Sequence, residues 1–208
     1  MRIIAGTYRS RVLEAPAGLA TRPTSDRLRE TLFNVLAPRM AGAAFLDLYA
    51  GSGAVSLEAL SRGAARVVSV ERAQPALKAL RANLMRLGAV GAVSVQAMSV
   101  AAYLERAAER FGIVFLDPPY DAEAEYAATL GWLGAAIIQP RSPSARDLGH
   151  PFLEADLGHP FLEAGAMVIA EHRRKEQLPE QYGALTRTRL LEQGDAALSF
   201  YRRVDGEA

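Results

Sequence analysis

The sequence predicts an α/β fold in which a mostly parallel sheet ends in an antiparallel hairpin. Short apolar runs alternate with segments of helical periodicity between residues 45 and 170, a pattern typical of βαβ units. The last two strand-like runs, residues 185–191 and 197–203, are joined by Glu-Gln-Gly-Asp, which indicates a hairpin. The two prolines at residues 118–119 cannot donate to a sheet ladder, so they mark the end of a strand.

The composition limits the classes of protein to which the chain can belong. The 208 residues fit one domain with a sizeable core, and the formal net charge is +1. Such a balance argues against a protein that coats nucleic acid indiscriminately, but it allows a local basic patch. The absence of cysteine excludes disulfides and thiolate sites, and with three histidines we expect no metal site. Because no signal peptide or spanning segment is found, we expect a soluble, cytoplasmic protein. We also expect a monomer.

Residues 1–38 are predicted to form an N-terminal extension that precedes the main domain at residues 39–208. Residues 1–22 have the turn signals and alternation of a hairpin-like arm, and a helix is predicted from Arg27 to Leu36, ended by Pro38. Arginines recur through this extension, which favours contacts with nucleic-acid phosphates, although a solvated helix face explains them equally well. The candidate RNA-binding residues are Arg2, Arg9, Arg11, Arg22, Arg27 and Arg29.

The main domain is predicted to alternate strands and helices. Strands are predicted at residues 45–49, 66–70, 93–95, 113–116 and 167–170, and helices at residues 54–62, 75–87, 100–110 and 122–138. Nine residues, 147–155, recur unchanged as 156–164. Architectural repeats normally span roughly 20–50 residues, so we interpret this copy as an insertion that lengthens a surface loop.

A glycine-containing turn after the first strand indicates a ligand site. Gly51 and Gly53 open the next helix, where backbone can approach a ligand, but the third glycine of the dinucleotide fingerprint is missing. Glu71 ends the second strand twenty positions after Gly51, where a carboxylate can accept hydrogen bonds from ribose hydroxyls. Asp47 would repel a pyrophosphate, which favours S-adenosylmethionine over a nicotinamide dinucleotide.

The segment Asp117-Pro-Pro-Tyr120 follows the strand predicted at residues 113–116. It places a carboxylate, backbone carbonyls and an aromatic ring at the carboxyl end of a strand, where open α/β sheets bind ligands. A rigid row of acceptors beside a ring suits a flat group with an N–H edge, such as a nucleobase amine. Taken alone, the segment is equally compatible with a loop whose prolines only end a strand.

Asp47, Gly51, Gly53, Glu71 and Asp-Pro-Pro-Tyr, in this order on successive strands, resemble the class I S-adenosylmethionine-dependent methyltransferases. Further segments resemble a narrower family, the RsmD-type 16S rRNA (guanine966-N2)-methyltransferases of bacteria. These segments are Arg2-Ile-Ile-Ala-Gly-Thr-Tyr-Arg9, residues 22–34, Val70-Glu71 with Asn83, and Gly194-Asp-Ala-Ala-Leu-Ser-Phe-Tyr-Arg202. The resemblance implies a Rossmann-like, seven-stranded, mostly parallel sheet with a C-terminal antiparallel hairpin.

The resemblance also implies an activity and a set of site residues. The enzyme would methylate the N2 amine of a guanine in 16S rRNA of the small ribosomal subunit, with Asp117, Pro118 and Tyr120 as catalytic residues. The implied cofactor-binding residues are Asp47, Tyr49, Gly51, Ser52, Gly53, Glu71, Met98 and Asp117. One position departs from the family pattern, since Met98 follows the third strand where such enzymes usually carry an acid.

Four other interpretations remain open at this point. The chain could methylate amino groups of adenine or cytosine in DNA, or a glutamine of a protein. A non-catalytic RNA-binding assembly factor would keep the arm without the chemistry. A nicotinamide-dependent oxidoreductase is disfavoured by the missing third glycine and by Asp47.

Overall fold

A computed structural model describes residues 1–16, 25–119, 123–135 and 161–203 of the chain. The helices are α1 (Asp26–Met40), α2 (Ala54–Ser61), α3 (Gln74–Leu87), α4 (Val100–Leu104) and α5 (Glu123–Ala135). The strands are β1 (Ala44–Leu48), β2 (Arg66–Val70), β3 (Ser94–Gln96), β4 (Phe111–Leu116), β5 (Leu162–Arg173), β6 (Gln181–Tyr182), β7 (Leu185–Gln193) and β8 (Ala196–Arg203). None of the described helices is long and apolar enough to cross a bilayer.

The described strands form one sheet in the order β3-β2-β1-β4-β5-β8-β7-β6. Neighbours from β3 to β5 are parallel, while β8 runs antiparallel between β5 and β7. The predicted fold class is therefore confirmed, and the two-residue strand β6 extends the expected seven strands to eight. The connections from β1 and from β4 leave in opposite directions, so the carboxyl ends of these two strands define a switch point.

Apolar side chains cover both faces of the sheet and form two layers of core. Phe45, Phe115 and Ile169 face one layer, to which α1, α2 and α3 contribute. Alternate residues on the same strands, such as Leu46 and Val114, face a second layer with α4 and α5. Because both faces are buried, the central strands are continuous apolar runs, and only their ends can carry polar side chains.

The N-terminal arm is a hairpin that docks on α2. Arg2 and Val12 form an antiparallel bridge, which agrees with the hairpin-like arm predicted for residues 1–22. The buried carboxylate of Glu58 accepts hydrogen bonds from the backbone N–H groups of Ile4 and Ala5, at 2.7 and 3.1 Å. Gly6 allows this contact, since a Cβ there would lie 1.8 Å from the carbonyl oxygen of Ser61.

Arg29 belongs to the same contact, and the prediction that it binds RNA is wrong. Its side chain is fully buried between the arm, α1 and α2. The guanidinium donates to the carbonyl of Arg2 at 2.5 Å and to Asp26 Oδ1 at 2.9 Å, and its Nε lies 3.9 Å from Glu58 Oε2. A buried carboxylate without a cation nearby would be costly, so Arg62, at 2.6 Å from Glu58, and Arg29 together balance the charge that holds the arm.

Several predicted boundaries differ from the structure. Helix α1 continues through Pro38 to Met40, because a proline in the last turn removes only one intrahelical hydrogen bond. Helix α4 ends at Leu104 rather than at residue 110, since the chain must return to the start of β4. Tyr49 was predicted as a strand residue but turns out of β1 with φ of +67°.

The duplicated segment lies outside the described residues except for the end of its second copy. Phe161 and Leu162 in that copy are buried, and the ring of Phe161 lies 5.2 Å from Trp132 and 5.4 Å from Phe111 between centroids. The prediction that the whole copy forms a surface loop is therefore wrong for these residues. Leu162 begins β5, which starts five residues earlier than the sequence suggested because its amino end pairs with Phe111.

Candidate functional site

A cavity of about 490 Å³ opens at the carboxyl ends of the parallel strands. This volume lies in the range of sites for small molecules and cofactors. The predicted site residues that line it are Asp47, Tyr49, Gly51, Ser52, Glu71, Met98, Asp117 and Pro118. Residues from four strand ends, far apart in the sequence, are therefore brought to one site.

Asp47 sits at the floor of this cavity and fixes the start of α2. Its Oδ2 accepts hydrogen bonds from the backbone N–H and the hydroxyl of Ser56, at 3.0 and 2.5 Å. The Ser56 hydroxyl is also hydrogen-bonded to the hydroxyl of Ser69, at 2.6 Å. Burial raises the pKa of Asp47 to about 7 against the lowering effect of these hydrogen bonds. Asp47 is therefore a buried structural residue, and both hydrogen bonds that it accepts come from Ser56.

The two glycines of the first turn have different roles. Gly51 has φ of +57°, and a Cβ there would meet no neighbouring atom within 4 Å, so its backbone borders open space at the cavity. Gly53 does not line the cavity, which corrects its prediction as a cofactor contact. It precedes α2 with φ of +79°, and a Cβ there would lie 2.1 Å from Leu80 Cδ1. Gly53 thus permits α2 and α3 to pack closely.

Glu71 follows β2 and is held in one orientation by backbone donors. Its Oε2 accepts from the N–H of Gly51 at 2.8 Å, and its Oε1 accepts from the N–H groups of Arg72 and Ala73 at 2.8 and 2.7 Å. Because Oε1 already accepts two of these hydrogen bonds and Oε2 accepts one, Oε2 keeps a lone pair for one further donor. The result is a preorganised acceptor at the cavity wall that suits the hydroxyls of a ribose.

Tyr49 connects the first turn to α5. Its hydroxyl donates to Glu125 Oε2 at 2.6 Å and is hydrogen-bonded to Thr129 Oγ1 at 2.9 Å. Burial, together with the hydrogen bond to Glu125, raises the pKa of Tyr49 above its ordinary value, so the phenol stays protonated. A left-handed backbone costs a tyrosine roughly 1–2 kcal/mol, which the hydrogen bonds of the side chain offset. No pattern in the sequence indicated Glu125 or Thr129.

Met98 lies on the wall beyond the third strand and is half-buried. The backbone N–H groups of Met98 and Glu71 both donate to the carbonyl of Gln96, each at 3.0 Å, which sets the loop after β3 against the end of β2. Val100 continues the same wall. This side of the cavity is apolar and suits the face of a flat ring.

Asp117 projects from the end of β4 without a hydrogen-bond partner for its side chain among the described residues. Its neighbours in the sheet are the ends of β1 and β5, since Leu116 pairs with Leu48 and with Ala170. Burial raises the pKa of Asp117 well above its usual range, and the charges of Glu171 and Asp47 raise it further. Pro118 and Pro119 also line the cavity, whereas Tyr120 lies outside the described residues.

Two further residues near the site, besides Glu125 and Thr129, were not predicted to contribute to it. Glu171 is buried at the end of β5, beside Asp117, and only its position after an apolar run could have indicated it. Asn83 is buried in α3 and donates to the carbonyls of Ser52 and Glu14 at 3.0 and 3.1 Å. Its Oδ1 accepts from the N–H of Glu14 at 2.7 Å, so Asn83 ties the arm to the glycine turn.

The predicted RNA-binding arginines divide by exposure. The structure leaves Arg2, Arg9, Arg11 and Arg27 exposed, while Arg22 lies outside the described residues. Pro16, the last described residue of the arm, lines the cavity. The described part of the chain contains no cluster of three or more acidic or histidine side chains that could hold a metal ion.

A sheet with this strand order and a cavity at the β1/β4 switch point defines a class I methyltransferase fold. The chain belongs to the family described as Conserved hypothetical protein 95, whose model matches residues 1–142.

Relatives and solved structures agree with this assignment. The Bacillus subtilis protein YlbH is 33% identical over 206 residues, which cover 98% of this chain and 99% of YlbH. Ribosomal RNA small subunit methyltransferase D of Escherichia coli K12 is 46% identical over 122 residues, 58% of this chain and 60% of that protein. The solved structure of yhhF from Escherichia coli has a TM-score of 0.75 at 32% identity, covering 98% of this chain and 97% of yhhF. The Thermus protein TTHA0928 has a TM-score of 0.73 at 32% identity, covering 96% and 98%.

Proposed function

We propose that this chain transfers a methyl group from S-adenosylmethionine to the exocyclic N2 amine of a guanine in 16S rRNA, at a guanine966-type position. The observation that carries the proposal is the carboxylate of Asp117, which faces the cavity without a partner among the described residues, beside the rigid Pro118-Pro119 backbone. The match to a relative named ribosomal RNA small subunit methyltransferase D supports an rRNA substrate.

The residues of the cavity fit the cofactor part by part. Glu71 offers its fixed carboxylate to the ribose hydroxyls, and the apolar wall at Met98 and Val100 offers a surface to the adenine ring. Acidic groups at Asp47, Glu71 and Asp117 line the cavity, and a cation beside them favours their ionised forms, so the cavity suits a cationic ligand better than a pyrophosphate. The bound cofactor supplies an electrophilic methyl group on a sulfonium, so the protein mainly has to align donor and acceptor.

The acceptor amine would be held by the segment that begins at Asp117. The lone pair of a guanine N2 is delocalised into the ring, so the free amine is a poor nucleophile. The Asp117 carboxylate and the Pro118 carbonyl can accept its two hydrogens and direct the lone pair towards the methyl group. Tyr120 would stack on the flipped base, and such stacking contributes about 1–3 kcal/mol.

The arm would bind the RNA backbone through Arg2, Arg9 and Arg11, together with Arg27 at the start of α1. These side chains are exposed, and the arm that carries the first three is held in place by Glu58 and Asn83. Contacts of this kind give affinity that falls as salt is added and carry no sequence information themselves. Base choice would then depend on the pocket around Asp117.

Two measurements test the proposal. Calorimetry should detect binding of S-adenosylhomocysteine and no binding of NAD. Incubation with S-adenosylmethionine and small-subunit rRNA, followed by mapping of the modified nucleotide, should yield one N2-methylguanine. Methylation of DNA adenine instead, or binding of the cofactor without methylation of any RNA, would contradict the proposal.

A further inference from the structure

Two cations at the amino ends of the strands, Arg66 and Arg62, have partners inside the chain. Arg66, at the start of β2, lies 3.3 Å from Glu109, and its guanidinium also donates to the carbonyl of Arg110. Arg62 lies 2.6 Å from Glu58. Charges that are paired in this way support local structure and attract a charged ligand only weakly.

The turn after β5, at the opposite edge of the sheet, carries cations without such partners. Arg174 and Lys175 follow the last residue of β5, and both side chains are exposed. Among the described residues, neither side chain has a carboxylate or a hydrogen-bond acceptor in contact. Their charges therefore face solvent.

Backbone hydrogen bonds hold this turn in one shape. The N–H of Arg174 donates to the carbonyl of Asp195 at 2.8 Å, in the turn between β7 and β8. The N–H of Glu176 donates to the carbonyl of Arg173 at 2.9 Å, and Glu176 Oε2 accepts from the N–H of Arg173 at 3.2 Å. The positions from which the two cations project are thus fixed by the sheet.

The register of the sheet places this turn near Asp117. Since Leu116 pairs with Ala170, Asp117 lies beside Glu171, and Arg174 follows three residues later. At about 3.3 Å per residue, the turn begins roughly 10 Å beyond Asp117 along the strand direction. In the order β1-β4-β5, the turn lies on the side of β4 away from the cofactor cavity.

The arm lies on the other side of Asp117. It docks on α2 through Glu58, and its end at Pro16 reaches the cavity between β1 and β2. The two ends of the arm, at Met1 beside Ser52 and at Pro16, therefore lie on one side of the end of β4, and the turn after β5 lies on the other. The tip of the arm contacts Ser61 at the far end of α2. Two phosphate-binding groups on either side of a pocket can hold a nucleic-acid strand across it.

We propose that the turn at Arg174 and Lys175 is a second contact for the RNA backbone, across the base pocket from the arm. The inference rests on the proposed function, whose substrate it describes further. Arginine and lysine without internal partners bind phosphate oxygens through charge-assisted hydrogen bonds. The carboxylates of Glu176 and Asp195 lie in the same pair of turns, so the patch is local and suits one or two phosphates.

The test is the salt dependence of binding to a protein-free, unmodified transcript of 16S rRNA. The double variant R174A/K175A should bind more weakly than the wild type at every salt concentration. The slope of log affinity against log salt should fall by about 2, because each lost phosphate contact lowers it by about 1. The affinity for S-adenosylhomocysteine should not change, since neither side chain lines the cavity.

A matched control removes the same charge from the other edge of the sheet. Arg39 and Arg106 are exposed at the amino ends of the strands, so R39A/R106A should keep the wild-type slope. The variant R174Q/K175Q repeats the loss of charge with longer side chains, and thermal unfolding checks that each variant is folded. A wild-type slope for both turn variants would overturn the inference and leave the proposed function standing.

Two further outcomes separate the partners. If the turn variants weaken binding to the assembled small subunit but not to the protein-free transcript, the turn contacts a ribosomal protein, and the inference is overturned. If the wild-type protein binds no RNA, the proposed function fails together with the inference.

Discussion

Asp47 and Asp117 stand at the carboxyl ends of the neighbouring strands β1 and β4, and they differ in their partners. Both line the same cavity, and burial raises the pKa of each. Asp47 accepts two hydrogen bonds from Ser56, while the side chain of Asp117 accepts none from the described residues. The first carboxylate is used by the fold, and the second is available to a ligand.

The difference shows that a raised pKa alone does not identify a functional carboxylate. Desolvation is the first cause of the shift at both residues, so the shift reports burial in each case. The unused acceptors are what distinguish Asp117. Asp117 is half-buried at the cavity, so a ligand that donates to it would use acceptors that the described residues leave free.

The largest effect that would test the comparison is expected from Asp117→Ala. Turnover should fall about a thousandfold, because the variant loses the acceptor that positions the amine. The affinity for S-adenosylhomocysteine should stay within a few-fold, since no described residue depends on the Asp117 side chain for a hydrogen bond. Single-turnover methyl transfer and calorimetry measure the two quantities. Turnover close to that of the wild type would remove Asp117 from the site.

The raised pKa of Asp117 also predicts a pH dependence of the rate. The carboxyl holds its proton to a higher pH than an ordinary aspartate, and a protonated carboxyl accepts more weakly. The rate should therefore fall as the pH is lowered through this raised pKa, well above the ordinary value of 3.8. Asp117→Asn, which does not titrate, should lack this decrease.

The sequence predicted the parts of the fold that depend on local signals. The bounds of β2 agree with the prediction, because three of its five residues are valine, which favours a strand. Gly88 ends α3 with φ of +65°, as expected of a glycine after a helix. The order of Asp47, Glu71 and Asp117 along the chain was also sufficient to place them at one edge of the sheet.

Tertiary contacts decided the features that the sequence did not predict. Arg29 was predicted to bind RNA because it is one arginine among many, and only the docking of the arm buries it. The partners of Tyr49 are more than seventy residues away on α5. Gly53 matches a cofactor motif, but a side chain at this position is excluded by Leu80, which lies on another helix. Such contacts have no local signal.

A smaller effect, on stability rather than turnover, is expected from Asp47→Ala. The variant leaves the N–H and the hydroxyl of Ser56 without their acceptor, while the hydroxyl of Ser69 keeps its hydrogen bond to Ser56. The free energy of unfolding should decrease by about 2 kcal/mol, measured by urea denaturation. Ser56→Ala is the control and should lose about half as much, because it keeps the backbone hydrogen bond. If Asp47→Ala kept the stability of the wild type and lost only turnover, Asp47 would act on the ligand as Asp117 does, and the proposed difference between them would be wrong.

The smallest effect is expected from Tyr49→Phe. This variant tests whether the glycine turn after β1 and helix α5 are coupled through the Tyr49 hydroxyl. The ring and the left-handed backbone remain, but the hydrogen bonds to Glu125 and Thr129 are lost. We expect a decrease of about 1 kcal/mol in the free energy of unfolding. The turnover should fall a few-fold while the affinity for S-adenosylhomocysteine is kept, because α5 begins just after the segment that holds the acceptor.

Tyr103→Phe is the matched control, since its hydroxyl also contacts a carboxylate, Glu109 at 3.4 Å, but at the amino ends of the strands. Equal turnover in both variants would mean that α5 holds the acceptor segment without help from the glycine turn.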